Sequence, residues 1–307
     1  MLRFCLLLII AFCTVTAKAD ENDILVVHSY HQGLFWTDSF QYGFEQQIAP
    51  YNLSTRILYL DTKRSQSKQY LDQLYLLYKT KFEQEAFKAI VVSDNNALNL
   101  INKLSDQIGN TPVIFGGINH YEPYLHRYLN ATGVIENVDI AANIALIERI
   151  QPDIDSIYLI TDHSVTGEAA RADIGAFLNA NTDYEGKLVS YIPDNFTQLI
   201  DFISNLDQRA AVIFWLYNRT RTGDVISDST LWEVLNQSSK APIYMAHDYG
   251  LGYGAVGGVI QGGTQHGQQT AKVLLKVLNN LEAPLPPVSR VTRIVDHQLQ
   301  SQDNRLK

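Results

Sequence analysis

The residues able to do chemistry fall in short polar runs, each directly behind a short apolar stretch. Ser29, Tyr30, His31, Phe35 and Trp36 follow the apolar residues 24–28, and Asp61, Thr62, Lys63 and Arg64 follow 55–60. Ser93, Asp94, Asn95 and Asn96 follow 89–92, and Gly116, Gly117, Ile118 and Asn119 follow 113–115. The second half repeats the arrangement with Asp162, His163 and Thr166, then Trp215, Tyr217 and Asn218, then His247, Asp248 and Tyr249. Amides, hydroxyls and aromatic rings in such numbers suit recognition of a small molecule. Trp36 and Trp215 could close on a planar or apolar group from opposite sides, provided the two halves face each other. Backbone N–H groups at helix starts could receive a carboxylate. Each residue also has a structural use: Asp94 and Asp162 fit as helix caps, and Trp36 as the edge of a core.

Catalytic constellations are weak by comparison. His28 and His31 point differently in a strand-to-loop segment and have no third ligand, and Asp248 beside His247 is a pair without a partner, so no metal site is expected. The glycines at 250–263 lack the early strand–turn–helix placement and the following acid of a dinucleotide fingerprint. No glycine-rich turn ends in Lys-Ser or Lys-Thr, and no serine elbow occurs. No cofactor and no catalytic residue is therefore expected.

The elements that must hold these runs alternate in a regular order. Strands are predicted at 24–28, 55–60, 89–92, 113–115, 156–161, 187–191, 210–215, 243–246 and 255–260. A short apolar segment lies at 133–135 and a last extended piece at 291–295. Helices are expected from Thr37 or Asp38 to Pro50, from about Gln66 through Phe82, around residues 97–104, and from Asp139 to Pro152. Others follow at 167–178, 196–206, 230–235 and 264–278. Strands separated by helical patterns are βαβ units, which build parallel sheets covered on both faces. Two successive sets suggest two lobes, and one continuous sheet is the alternative. In such sheets ligands bind beyond the carboxyl ends of the strands, where the polar runs lie.

Composition sets the setting. The chain of 307 residues is 46% hydrophobic, enough for a substantial core, and its net charge of −8 (24 basic against 32 acidic side chains) repels nucleic acid in the absence of a basic patch. Arg3, an apolar run over 4–12 and Ala17-Lys18-Ala19 read as a cleaved signal peptide over 1–19. A lipoprotein reading of Cys13 is disfavoured by bulky Phe12 before it. Cleavage removes Arg3 and Lys18, taking the charge from −8 to −10, and also removes Cys5 and Cys13, the only two cysteines. A soluble exported protein without thiol chemistry is expected, in the periplasm of a two-membrane bacterium.

Several ordered motifs carry a likeness. Val27-His28-Ser29-Tyr30-His31 with Trp36-Thr37-Asp38, Asp61-Thr62-Lys63-Arg64, Val92-Ser93-Asp94-Asn95-Asn96-Ala97 and Phe115-Gly116-Gly117-Ile118-Asn119 come in the first half. Thr132-Gly133-Val134-Ile135-Glu136 with Asp139, Asp162 near Thr166-Gly167, and Gly257-Gly258 follow. Together they resemble the ABC-type substrate-binding protein family that includes periplasmic tryptophan/tyrosine-binding proteins. The likeness is nearest to the branch serving as extracytoplasmic sensor heads of histidine kinases and diguanylate cyclases.

The resemblance implies a type I periplasmic-binding-protein fold, α/β, with two doubly wound Rossmann-like lobes joined by three crossovers. The lobes are expected at 20–135 plus 256–290 and at 136–255, with a C-terminal strand and polar tail at 291–307. It also implies a cleft lined by Ser29, Tyr30, Trp36, Asp94, Asn95 and Asn119 from one lobe and by Asp162, Trp215 and His247 from the other, beside Tyr217 from the residue reading. The chain departs from the sensor-head branch after Arg293-Ile294-Val295-Asp296, where no membrane helix follows. The expected function is reversible binding of a small organic solute, aromatic or amino-acid-like, with hinge closure. The expected partner is a membrane sensor kinase or cyclase, with an ABC permease as the alternative, and the protein is expected to be a monomer.

Overall fold

The computed structural model describes residues 24–250, 252–281, 284–285, 287–290 and 294–295. The predicted signal peptide and most of the polar tail lie outside them. The chain opens with β1 (Ile24–His28), α1 (Phe35–Ile48), β2 (Thr55–Tyr59), α2 (Lys68–Gln84), β3 (Ala89–Ser93), α3 (Asp94–Lys103), α4 (Ser105–Ile108), β4 (Val113–Ile118) and β5 (Ala131–Ile135). It continues with α5 (Ile140–Ile150), β6 (Ser156–Ile160), α6 (Val165–Ala180), β7 (Leu188–Tyr191), α7 (Phe196–Ser204), β8 (Ala210–Phe214), α8 (Asp228–Ser238) and β9 (Ile243–Met245). Then come β10 (Val259–Ile260), α9 (Gly263–Asn279), β11 (Ser289–Arg290) and β12 (Ile294–Val295).

Two parallel sheets result. The first has the order β11-β5-β4-β3-β1-β2 and the second β7-β6-β8-β9, while β10 and β12 form an antiparallel pair. β1, β3 and β8 are buried at every position, as their unbroken apolar runs require of strands covered on both faces. The chain leaves the first sheet after β5 and returns to it with α9, which covers it; β11 then pairs with β5, and β12 with β10. Both sheets reverse direction around their first strand, β1 between β2 and β3, and β6 between β7 and β8. The carboxyl ends of β1/β3 and β6/β8 are therefore the crevices where such sheets receive ligands.

Local chemistry explains where the helix bounds differ from the periodicity. Ser227 accepts from Thr230 N and extends α8 to Asp228–Ser238, beyond the expected 230–235. Ser164 caps α6 by accepting from Gly167 N, so that helix starts at Val165. The strand expected over 255–260 shrinks to Val259–Ile260, because Gly257 adopts a φ of 128° and leaves the ladder at a single bridge with Tyr244. Among the described residues no helix is long and apolar enough to cross a membrane.

One contact ties the chain's ends together. α9 packs along α1, and a Cβ on Gly43 would strike the carbonyl of Thr264 while one on Gly267 would strike the carbonyl of Phe40. Phe40, Phe44, Ala271 and Leu274 share one core under the first sheet.

Candidate functional site

The loops at the strand ends meet between the two sheets and enclose a narrow cavity of about 50 Å³. Tyr30 and Leu34 come from the β1–α1 loop, Trp36 from α1, Lys63 from the β2–α2 loop, and Asp94 from the first residue of α3. Glu136 follows β5 directly. The opposite wall is Thr166 of α6, Leu216 and Asn218 behind β8, and His247 and Tyr249 behind β9.

The two walls touch. The Tyr30 hydroxyl and Thr166 Oγ1 lie 2.8 Å apart, and Arg219 donates to the backbone carbonyl of Lys63 at 2.8 Å. His120 and Asp173 meet at 2.7 Å on the rim. His247 Nε2 donates to Glu136 Oε1 at 2.5 Å, and Trp36 stands edge-on to His247 with ring centroids 5.7 Å apart. The structure is thus a closed arrangement of the two lobes.

Burial sets the electrostatics. His247 Nδ1 faces the carbonyl of Trp215, an acceptor only, so both ring nitrogens donate and the imidazolium form is favoured. Burial would lower the His247 pKa, but the Glu136 charge and hydrogen bond outweigh it and raise it. Burial likewise opposes the Glu136 charge, yet His247 and the Asn119 amide hold its carboxyl below the ordinary value. Asp94 behaves oppositely. Burial and then repulsion from Glu136 push it to about 7, against the opposing pull of Lys63, Trp36 and Tyr30. Its Oδ2 accepts from Trp36 Nε1 at 3.2 Å, and its backbone is left-handed, with φ at 66°. Behind Trp36, burial drives His266 down to about 4.

Of the residues singled out from sequence, Tyr30, Trp36, Asp94 and His247 line this cavity. Ser29, Asn95, Asn119 and Asp162 lie in the same loops but spend their polar atoms on the framework. Ser29 Oγ donates to the Ser93 carbonyl and accepts from Ala97 N. Asn95 and Asn119 exchange side-chain and backbone hydrogen bonds. Asp162 accepts from Ser164, Asn218 and Arg219 backbone N–H groups.

Trp215 and Tyr217 require a correction. Both are almost wholly buried, and each sits in a core of the second lobe, away from the cavity wall. For Trp215 strand alternation is the reason; Tyr217, further past the end of β8, packs in the other core. Ala211 and Ile213 face one core and Val212 and Phe214 the other, and Trp215 continues the first set. The expected clamp of two indoles is therefore absent, and Leu216, Asn218 and Tyr249 stand opposite Trp36. Lys63, Thr166, Asn218 and Tyr249, from the same polar runs, and Glu136, from the motif ending β5, also line the cavity. Their sequence signal is the strand-end position, joined for Lys63, Glu136 and Thr166 by the motifs they sit in. Among the described residues no group of three or more His, Cys, Asp or Glu is placed to hold a metal ion.

This architecture is the type I periplasmic-binding-protein fold, two parallel-sheet α/β lobes around a cleft. No protein-family model and no curated protein matches the sequence. Among solved structures, the chain is similar to an ABC domain from Streptococcus pneumoniae in complex with L-Trp, at 16% identity and a TM-score of 0.66, over 93% of this chain and 94% of that one. It is also similar to a ligand-free, open substrate-binding protein with adhesive properties from Clostridium difficile, at 13% identity and TM-score 0.62, over 91% and 94%. A third is a carbohydrate transporter from Acidothermus cellulolyticus in complex with myo-inositol, at 12% identity and TM-score 0.58, over 94% and 98%.

Proposed function

We propose that this protein binds a small organic solute between its lobes outside the cytoplasm and reports it by hinge closure, without chemical conversion. The observation that carries this reading is the cavity itself, walled from one side by Tyr30, Trp36 and Asp94 and from the other by Thr166, Asn218 and His247. A solute in contact with both walls stabilises the closed form alone, and only such differential affinity shifts the population of forms. The relatives crystallised with L-Trp and myo-inositol support solute binding as the use of this fold.

The motif resemblance to sensor heads favours a membrane-bound signalling partner as the receiver of the closed form. Delivery to a permease is the second reading, favoured by the likeness to a transporter component over 94% of the chain. A thermal-shift screen of amino acids, sugars, purines and small organic acids, followed by small-angle scattering, tests the binding claim. A hit that compacts the particle supports it; no hit across the panel refutes it. Deleting the gene and following both solute uptake and solute-dependent signalling separates the two roles. N-terminal sequencing of the exported protein should begin at Asp20.

A further inference from the structure

The charges around the cavity are unequally satisfied. Glu136 is fully engaged, Oε1 with His247 and Oε2 with the Asn119 amide. Asp94 already accepts from Trp36 Nε1, and the Tyr30 hydroxyl is a second hydrogen-bond partner. Both acids thus already have protein donors, His247 and Asn119 for Glu136 and Trp36 with Tyr30 for Asp94. Lys63 stands in contrast. It is buried to 7% exposure, and its ammonium lies over the Tyr30 ring at 4.7 Å from the centroid. Its charge attracts Asp94, but among the described residues no salt bridge to a carboxylate is formed. A buried cation with no carboxylate in direct contact carries a desolvation cost that an arriving anion would relieve.

Position adds to charge. Lys63, Leu34 and Asn218 line both the inner cavity and a wider groove outside it. The ammonium therefore stands at the join, with the apolar surfaces of Trp36, Leu216 and Tyr249 deeper in. The inner space of about 50 Å³ holds about three to five water-sized groups, too few for an indole with its side chain.

We infer that the solute is a small monocarboxylate without an amino group, its carboxylate received by Lys63 and its short apolar body by Trp36, Leu216 and Tyr249. This rests on the solute-binding reading above and names the chemical class that reading leaves open.

Titration calorimetry with the full mature chain tests it, using 3-methylbutanoate and 2-methylpropanoate against 3-methylbutanamide, 2-methylpropanamide, 3-methylbutylamine, leucine and myo-inositol. The carboxylates should bind more tightly than their amides by about ten- to a hundredfold, the range of a charge-assisted hydrogen bond. Lys63→Met should abolish that preference and Lys63→Arg should keep most of it, with circular dichroism confirming that both variants fold. Retention of carboxylate preference by Lys63→Met overturns the inference, as does equal or tighter binding of the amide, amine, amino acid or polyol. In those outcomes solute binding itself stands. Failure of the whole panel, extended to the amino acids, sugars and purines of the wider screen, overturns both.

Discussion

Asp94 should cost this protein stability, and replacing it with asparagine should recover what is lost. The residue is 3% exposed, and burial with repulsion from Glu136 raises its carboxyl from 3.8 to about 7. The folded chain then binds more protons than the unfolded chain between those two values, so stability falls as pH rises through that interval. At about 1.36 kcal/mol per pH unit, the full penalty above pH 7 is roughly 4 kcal/mol as an order of magnitude. Asparagine keeps the shape, can accept from Trp36 Nε1, and tolerates the left-handed φ of 66°. Asp94→Asn should therefore melt higher than the parent at about pH 8, on the order of 10 °C at roughly 2–4 °C per kcal/mol. The two should converge below about pH 3, where the parent carboxyl is protonated in both states. Calorimetric melts of both proteins between those limits provide the test. Because the penalty belongs to the closed cleft, the variant should also scatter as a more compact particle at high pH. Parallel melting curves across the whole range would refute the reasoning, since they would mean that Asp94 stays hydrated or fully compensated.

The remaining expectations concern the pair at the hinge, the two indoles and the helix contact. Glu136→Gln leaves His247 facing a neutral partner and should destabilise the closed protein by about 3–5 kcal/mol, read by denaturant titration. In the parent, the depressed Glu136 contributes stability above its unfolded pKa that is lost as pH falls through its folded value. The raised His247 contributes stability below its unfolded pKa that is lost as pH rises through its folded value. Their joint contribution is greatest between the two ordinary values, and the variant should lack that maximum. Trp215→Ala should cost about 3–5 kcal/mol of stability as a core truncation, whereas Trp36→Ala should chiefly lose solute affinity, about tenfold or more. Gly267→Ala should lower stability by about 1–3 kcal/mol through overpacking against Phe40, measured by thermal melts.

Much of this architecture was legible because parallel βαβ units write themselves as alternating apolar runs and amphipathic spacing. The site was legible by location more than by residue. Strand ends mark which loops meet, and Tyr30, Trp36, Asp94 and His247 came from those loops. Trp215 stands at a strand end yet keeps the parity of Ala211 and Ile213, and shares their core instead of the cavity. Asn95 and Asp162 could not be told from ligand-facing groups by type, since a framework hydrogen bond and a solute hydrogen bond use the same amide or carboxylate. The place of Lys63 depends on how the β2–α2 loop lies over Tyr30, and the pairing of Glu136 with His247 joins residues 111 positions apart in the chain. Neither relation has a local signature in the chain.

The packing of α9 on α1 governs the order of assembly. The elements of the second sheet, from α5 to β9, are contiguous in the chain and can consolidate as soon as they emerge. The first sheet gains its covering helix only from the far end of the polypeptide, through the reciprocal close approach at Gly43 and Gly267. Until that segment arrives, Phe40 and Phe44 lack the neighbours that bury them. The portion synthesised first is completed last, and a chain truncated before Gly263 would leave it as the sticky, aggregation-prone half.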